Sequence, residues 1–260
     1  REHYLPRFAG DKLPENKIGA ILSLADKLDN ITAHYSLGIK PSGSQDPFAL
    51  RRQASSIVRL ILDLNENIKI SNLINYSLET LGIENDDLLK EVKDLLLQRF
   101  RNELEDLKLR YDVINAAISI KNEDFVDLKD RAEAVMQVRE DNPELFVDLF
   151  RGLVRAKNLG ENANDNLKIN EKLFETEEEK SLYKKYLNLK ENIQNKYKNG
   201  DYKNALKRLV EFKKPVDLFL DNVIVMVDNK EVRENRLALL KKVAEISEMF
   251  IDINEIALDD

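Results

Sequence analysis

Cysteine and tryptophan are absent from this 260-residue chain, and glycine and proline are scarce, at 8 and 6. Without cysteine there is no disulfide framework, no thiolate nucleophile and no cysteine-bound zinc. No stretch approaches the roughly 20 apolar residues that span a bilayer, and the opening residues lack the charged-then-apolar layout of a secretory signal, so the expected location is cytoplasmic with no membrane partner. There is also no glycine-rich phosphate loop, no nucleophile elbow and no zinc-protease helix motif. What the chain does have is charge, 34% of residues, and apolar side chains, 43%. That mixture suits long amphipathic helices better than a turn-rich sheet, and the length allows two packed units. The expected fold class is all-α.

The net charge of −7 argues against a general nucleic-acid coat, whose affinity comes from clustered Lys and Arg. Charge is unevenly spread, however: residues 180–214 hold eleven Lys/Arg against three Asp/Glu, about +8, which leaves the remainder at about −15. Two readings follow, a local basic surface or a solvated helix face. Tyr183, Tyr186, Tyr197 and Tyr202 lie in this stretch and invite base stacking, although helical spacing puts Tyr186, and by extension most of the others, in the core.

Along the chain, Pro6, Gly10 and Pro14 break the first residues. From Glu15, Ile18, Ile21, Leu22, Ala25 and Leu28 recur three and four apart, which predicts a helix with these residues buried. Gly38 to Gly43 forms a boundary. Asp46-Pro47 reads as an N-cap and first-turn pair opening a second helix, with Leu50, Ala54, Ile57, Ile61 and Leu64 inward and Arg52, Ser56 and Arg59 on another face. Helices are predicted over 73–81, 86–109, 110–120, 124–139 and from Asn142-Pro143 toward Val154, with a polar loop over 160–166. Thr176 and Glu179 make a capping box for a helix burying Leu182, Tyr186, Leu189 and Ile193. Asn199-Gly200-Asp201 turns the chain, 202–213 is helical, and Pro215 starts a segment to Val227. In that segment β-branched Val223 to Val227 suggests a strand, but helix is preferred because no partner strand is in view. Asp228 with Glu231 reads as a second capping box for a last helix with Leu239, Val243, Ile246 and Phe250 inward. Acid pairs such as Asp86-Asp87 and Glu177 to Glu179 sit at helix starts, where the dipole favours them.

The strings EHYLPRFAGDKLP, LADKLD (24–29), DPFALRR (46–52), RYDVINA (110–116) and VMVDNKEVRENRLALL (225–240) occur in an order and at spacings that resemble the beta subunit of bacterial, tetrameric-type glycyl-tRNA synthetase. The likeness spans nearly the whole chain and implies the C-terminal part of that subunit. In that family two alpha subunits hold ATP, magnesium, glycine and the adenylation site, and two beta subunits hold glycine tRNA. This piece is therefore expected to be non-catalytic and without a cofactor of its own. The implied layout is the tail of an HD-like domain at 1–40, a helical connector at 41–109, and a DALR-like anticodon-binding helix bundle at 110–260.

By the same likeness, Arg155 and Asn158 in RAKN, and Arg233, Asn235 and Arg236 in VRENRL, fall where the family's recurring strings lie. Glycine anticodons end in two cytosines, whose pairing edge offers an amino donor and carbonyl and ring-nitrogen acceptors, so Arg and Asn are chemically suitable readers. The bland alternatives are surface ion pairs for the arginines and an ordinary helix end for Asn158 before Gly160. Arg51 and Arg52 face either tRNA or an adjoining domain. LADKLD also resembles the last metal-ligand helix of HD-type phosphohydrolases, with Asp26 at the carboxylate position. Such a site needs an upstream His and a His-Asp pair, whereas His3 and His34 are the only histidines and neither precedes Asp. The remaining rivals are an assembly role with little base reading, and an incomplete HD-type phosphohydrolase.

Overall fold

The computed structural model describes residues 2–8, 10–163 and 168–258. Among them there is no sheet, only isolated bridges such as Ser42 with Gln45 and Lys69 with Asp124. The fold is all-α, and the chain divides into two compact units, 1–109 with 121–129, and 110–120 with 130–260.

The first unit is built on α1 (Lys17–Ser36), α2 (Leu50–Leu64), α3 (Ile70–Thr80) and α4 (Asp86–Asp106). Helix α1 buries Ala20, Leu24, Leu28, Ile31 and Tyr35. The predicted stripe is thus displaced: Leu28 is buried, but Ile18, Ile21 and Leu22 are 67%, 49% and 54% exposed. The inward face instead carries polar residues that the periodicity passes over. Ser23 donates to the Leu5 carbonyl, Lys27 donates to Ser23 at 2.6 Å, and Thr32 meets Ser77 at 2.6 Å.

Helix α2 begins at Leu50, three residues later than an N-cap at Asp46 implies. Asp46 still satisfies orphan amides, accepting from Leu50 N at 2.8 Å and Arg51 N at 3.0 Å, across a turn closed by Ala49 at φ 54°. Helix α4 starts on Asn85, whose side chain accepts from Leu88 N. Phe100 of α4 stacks on Phe125 at 4.3 Å, which ties residues 121–129 to this unit together with the Lys93–Glu123 ion pair.

The second unit holds α5 (Tyr111–Ile118), most of α6 (Phe125–Asp141), α7 (Pro143–Gly160), α8 (Glu177–Lys198), α9 (Tyr202–Leu209), α10 (Lys213–Asn222) and α11 (Lys230–Glu248). The Thr176–Glu179 capping box forms and Leu182, Tyr186, Leu189 and Ile193 are buried. Part of the expected 160–166 loop, residues 164–166, lies outside the described residues. Gly160 is the last residue of α7 and lies against α11: a Cβ there would stand 2.8 Å from the Lys241 backbone.

After α10 the chain is neither helix nor strand. Val223 and Val225 are buried while Ile224 and Met226 are 74% and 63% exposed, an extended alternation without a partner. The cap of α11 is Asn229, whose side chain accepts from Glu231 N and Val232 N, so the box expected at Asp228 does not form. Beyond α11 the chain returns to α5, with Asp252 N donating to Ala116 O at 2.9 Å.

Candidate nucleic-acid interface

The exposed face of α7 follows from its register. Phe146, Leu149, Phe150, Leu153 and Ala156 turn inward, which leaves Asp148, Arg151, Arg155 and Asn158 outward at spacings of three and four. Arg151 is partly committed, lying 3.3 Å from Asp148 and donating to Leu258 O. Arg155 and Asn158 are exposed, and neither makes a hydrogen bond or ion pair among the described residues. One helical turn therefore presents a guanidinium fork beside an amide, both free to meet a ligand. Arg151 shares this face, and its place four residues before Arg155 is the sequence signal for it.

The candidates on α11 are placed differently. Arg233 is half-buried, and its guanidinium donates to Val227 O at 2.9 Å. Asn235 is 1% exposed; its side-chain oxygen accepts from Asn170 N at 2.7 Å and its amide donates to Asn170 O at 3.1 Å, in the manner of a backbone pair. Arg236 is 3% exposed and donates to Glu179, Glu175 and the Ile224 carbonyl. The cause is register: positions 232, 235, 236, 239 and 243 lie on the buried face of α11. The polar edges of Asn235 and Arg236 are spent inside the unit, where they hold the segments before α8 and before α11 in place.

The basic stretch is partly neutralised, with Lys184, Lys190, Lys198, Lys203 and Lys214 in no ion pair among the described residues. Lys180, Lys185, Lys196, Lys207, Arg208 and Lys213 each lie within ion-pair distance of Asp or Glu. Of the four tyrosines in the stretch, Tyr183 and Tyr197 are half-buried. Tyr186 and Tyr202 are buried, and the Arg131 guanidinium lies 4.8 Å from the Tyr197 ring centroid and 5.0 Å from that of Tyr202.

In the first unit, Arg51 and Arg52 line a cavity of about 580 Å³ between α2 and α4. Arg59 and Arg99 line it as well. Arg59 is legible as the residue one face-repeat beyond Arg52, but Arg99 enters only through the packing of α4 on α2. Asp26 is exposed on α1, His34 Nδ1 meets Asn30 O at 2.7 Å, and His3 packs on Tyr4. Among the described residues no group of three or more His, Cys, Asp or Glu side chains is placed to hold a metal ion, and no helix is long and apolar enough to cross a membrane.

Two family models match the chain: glycyl-tRNA synthetase beta subunit over residues 1–119, and DALR anticodon binding domain over 151–253. The glycine-tRNA ligase beta subunit of Halothermothrix orenii is 50% identical over 259 residues, covering 100% of this chain and 38% of that protein. Those of Halalkalibacterium halodurans and Syntrophomonas wolfei are 36% and 37% identical, each over 98% of this chain and 37% of their own length. The chain thus spans under two-fifths of the relatives it matches. With its two halves matched in turn and its whole length aligned to these subunits, the chain belongs to the glycyl-tRNA synthetase beta-subunit family.

Proposed function

We propose that this chain serves glycyl-tRNA synthesis as a tRNA-holding piece, with the second unit gripping the anticodon stem and loop of glycine tRNA. The observation that carries this reading is the unpartnered Arg155 and Asn158 pair on the outer face of α7, inside the stretch matched by the anticodon-binding family. A guanidinium fork and an amide can between them meet the donor and acceptors of an unstacked cytosine, or fix a phosphate beside it. Because part of the basic stretch is paired internally, its lysines without an ion pair supply the phosphate contacts and discrimination depends on loop bases. Asn235 and Arg236 keep the bundle in shape for those contacts.

In this reading the chemistry belongs to a partner alpha subunit in an assembly of two alpha and two beta chains, where ATP and magnesium bind. This chain positions the tRNA so that its acceptor end reaches that site. The internal use of Asn235 and Arg236 favours a second reading, a module that holds the subunit together and touches RNA little.

Competition of labelled glycine tRNA against the same tRNA with both anticodon cytosines changed, at fixed moderate salt, separates the two. A preference of about tenfold or more for the native anticodon is expected, since base contacts of this kind contribute about 1–3 kcal/mol each. Equal binding of the two tRNAs leaves the assembly role as the one that stands.

A further inference from the structure

Four arginines, Arg51, Arg52, Arg59 and Arg99, converge on the cavity between α2 and α4 of the first unit. Elsewhere Arg7, Arg110, Arg139, Arg151, Arg208 and Arg236 each sit within ion-pair distance of a carboxylate, while Arg155 and Arg233 stand singly without one. Among the described residues none of the four in the cavity has one, in a chain with 48 acidic residues. Arg59 donates to the Asp11 carbonyl and Arg99 to Gln98, both neutral acceptors. Arg99 Nε is buried with no hydrogen-bond partner at all. Converging like charges repel, and a buried unmade donor carries its full desolvation cost. An anion in the cavity relieves both.

We propose that this cavity is an oxyanion site that takes a phosphate group, gripped by Arg51, Arg52, Arg59 and Arg99. The guanidinium fork donates in pairs to phosphate oxygens, and several forks suit one tetrahedral anion better than they suit a planar carboxylate. Asn102 on the α4 wall adds an amide without a partner of its own. Glu103 and Asp106 line the same wall and leave the cavity with an excess of two positive charges. Burial pushes the Glu103 carboxyl above its ordinary range, which lessens its opposition to an entering anion. The volume admits more than inorganic phosphate and fits a phosphodiester of an RNA backbone or the phosphate of a nucleotide. This site lies in the first unit and does not depend on the anticodon reading of the second.

The test follows the arginine Nε–H signals of the ¹⁵N-labelled chain by NMR while inorganic phosphate replaces chloride at constant ionic strength. A saturating shift of the Arg99 signal is expected, lost in Arg52→Gln and partly kept in Arg99→Lys followed through its neighbours, with melting temperatures compared to confirm folding. No saturable shift in the wild-type chain overturns the proposal. Two further arms identify the source of the phosphate, a short RNA duplex without an anticodon loop and ATP. If the source is RNA, the double variant Arg52→Gln/Arg99→Gln binds the duplex about tenfold or more weakly, with a shallower salt dependence by roughly one unit per arginine. If ATP alone displaces phosphate and the duplex binds the variant as before, the site holds and its ligand is a nucleotide.

Discussion

Arg236 on α11 and Glu179 at the start of α8 form a buried, two-pronged ion pair: Nε donates to one carboxylate oxygen at 3.0 Å and a terminal nitrogen to the other at 3.2 Å. The same carboxylate accepts from the backbone amides of Glu175 and Thr176 at 3.0 and 2.9 Å. One side chain thus completes the capping box of α8 and anchors α11 to it. Removing Arg236 leaves the buried Glu179 charge without its counter-ion, which costs about 3–5 kcal/mol, whereas removing Glu179 leaves Arg236 its second partner, Glu175 at 2.8 Å. Arg236→Met is expected to lower urea stability by that amount, and Glu179→Ala by less because Glu175 still meets Arg236. Arg236→Lys rescues little, because an ammonium cannot reproduce the fork. A loss below about 1 kcal/mol in both variants would show that the pair is incidental.

Acid sensitivity follows from Glu179 and Asp112. Burial by itself raises both carboxyls, but it is outweighed by the donors around them: Arg236 and two backbone amides at Glu179, and Arg110, the Ala257 amide and Arg139 at Asp112. Both end below their ordinary values. A depressed folded value contributes stability that is fully present above the unfolded value, about 3.9 for Asp and 4.3 for Glu. That stability is lost as pH falls through the lower folded value. Denaturation midpoints recorded from pH 7 to pH 3 are expected to drop most steeply below about pH 4. Asp112→Asn should flatten that limb; an unchanged slope in the variant removes Asp112 from the explanation.

Asn229, and not Asp228, caps α11, with its side-chain oxygen 3.1 Å from Glu231 N and 3.4 Å from Val232 N. Asn229→Ala therefore costs about 1 kcal/mol, whereas Asp228→Ala is nearly neutral. Denaturant midpoints of the two variants decide it, and the reverse order restores the cap expected from sequence.

Helix existence was legible because most of the buried stripes, such as Leu182, Tyr186, Leu189 and Ile193, repeat at helical spacing. Sequence pattern and structure part where two patterns compete locally. On α1 two apolar faces share one helix, and only tertiary packing decides that Leu24, Leu28 and Ile31 go inside while Ile18, Ile21 and Leu22 stay out. At 228–229 two adjacent cap-forming residues precede the same helix, and spacing alone cannot choose between them. The site was less legible than the fold. Asn235 and Arg236 carry the residue types of base readers, yet their burial is set by the face of α11 that meets α8 and the segment around Asn170. The cavity arginines needed the pairing of α2 with α4, which no local period encodes.

Gly160 tests the close approach of α7 to α11. A Cβ there meets the Lys241 N and Cα at 2.8 Å, and backbone cannot move aside as a flexible side chain can. Gly160→Ala is expected to cost about 1–3 kcal/mol despite the better helix propensity of alanine. Gly152 on the same helix is the control. A Cβ there meets only the Val216 and Asp217 side chains, at 3.3 and 3.5 Å, so Gly152→Ala should be close to neutral. Equal effects at both positions would mean that the helices separate easily.

The outer face of α7 separates RNA contact from stability. Arg155→Gln and Asn158→Ala remove exposed groups with no internal partner, so each should leave the melting temperature of the chain unchanged. If these groups meet the tRNA, affinity falls with no such loss of fold. A residue that reads a base costs about 1–3 kcal/mol and reduces the preference for the native anticodon. One that meets only phosphate weakens all tRNAs alike and lowers the salt slope by about one. The contrast with Arg236→Met is the informative part: there, any loss of RNA binding should track the loss of folded protein and vanish when corrected for it. Wild-type affinity in both α7 variants, measured at two salt concentrations, would move the RNA contact away from this helix.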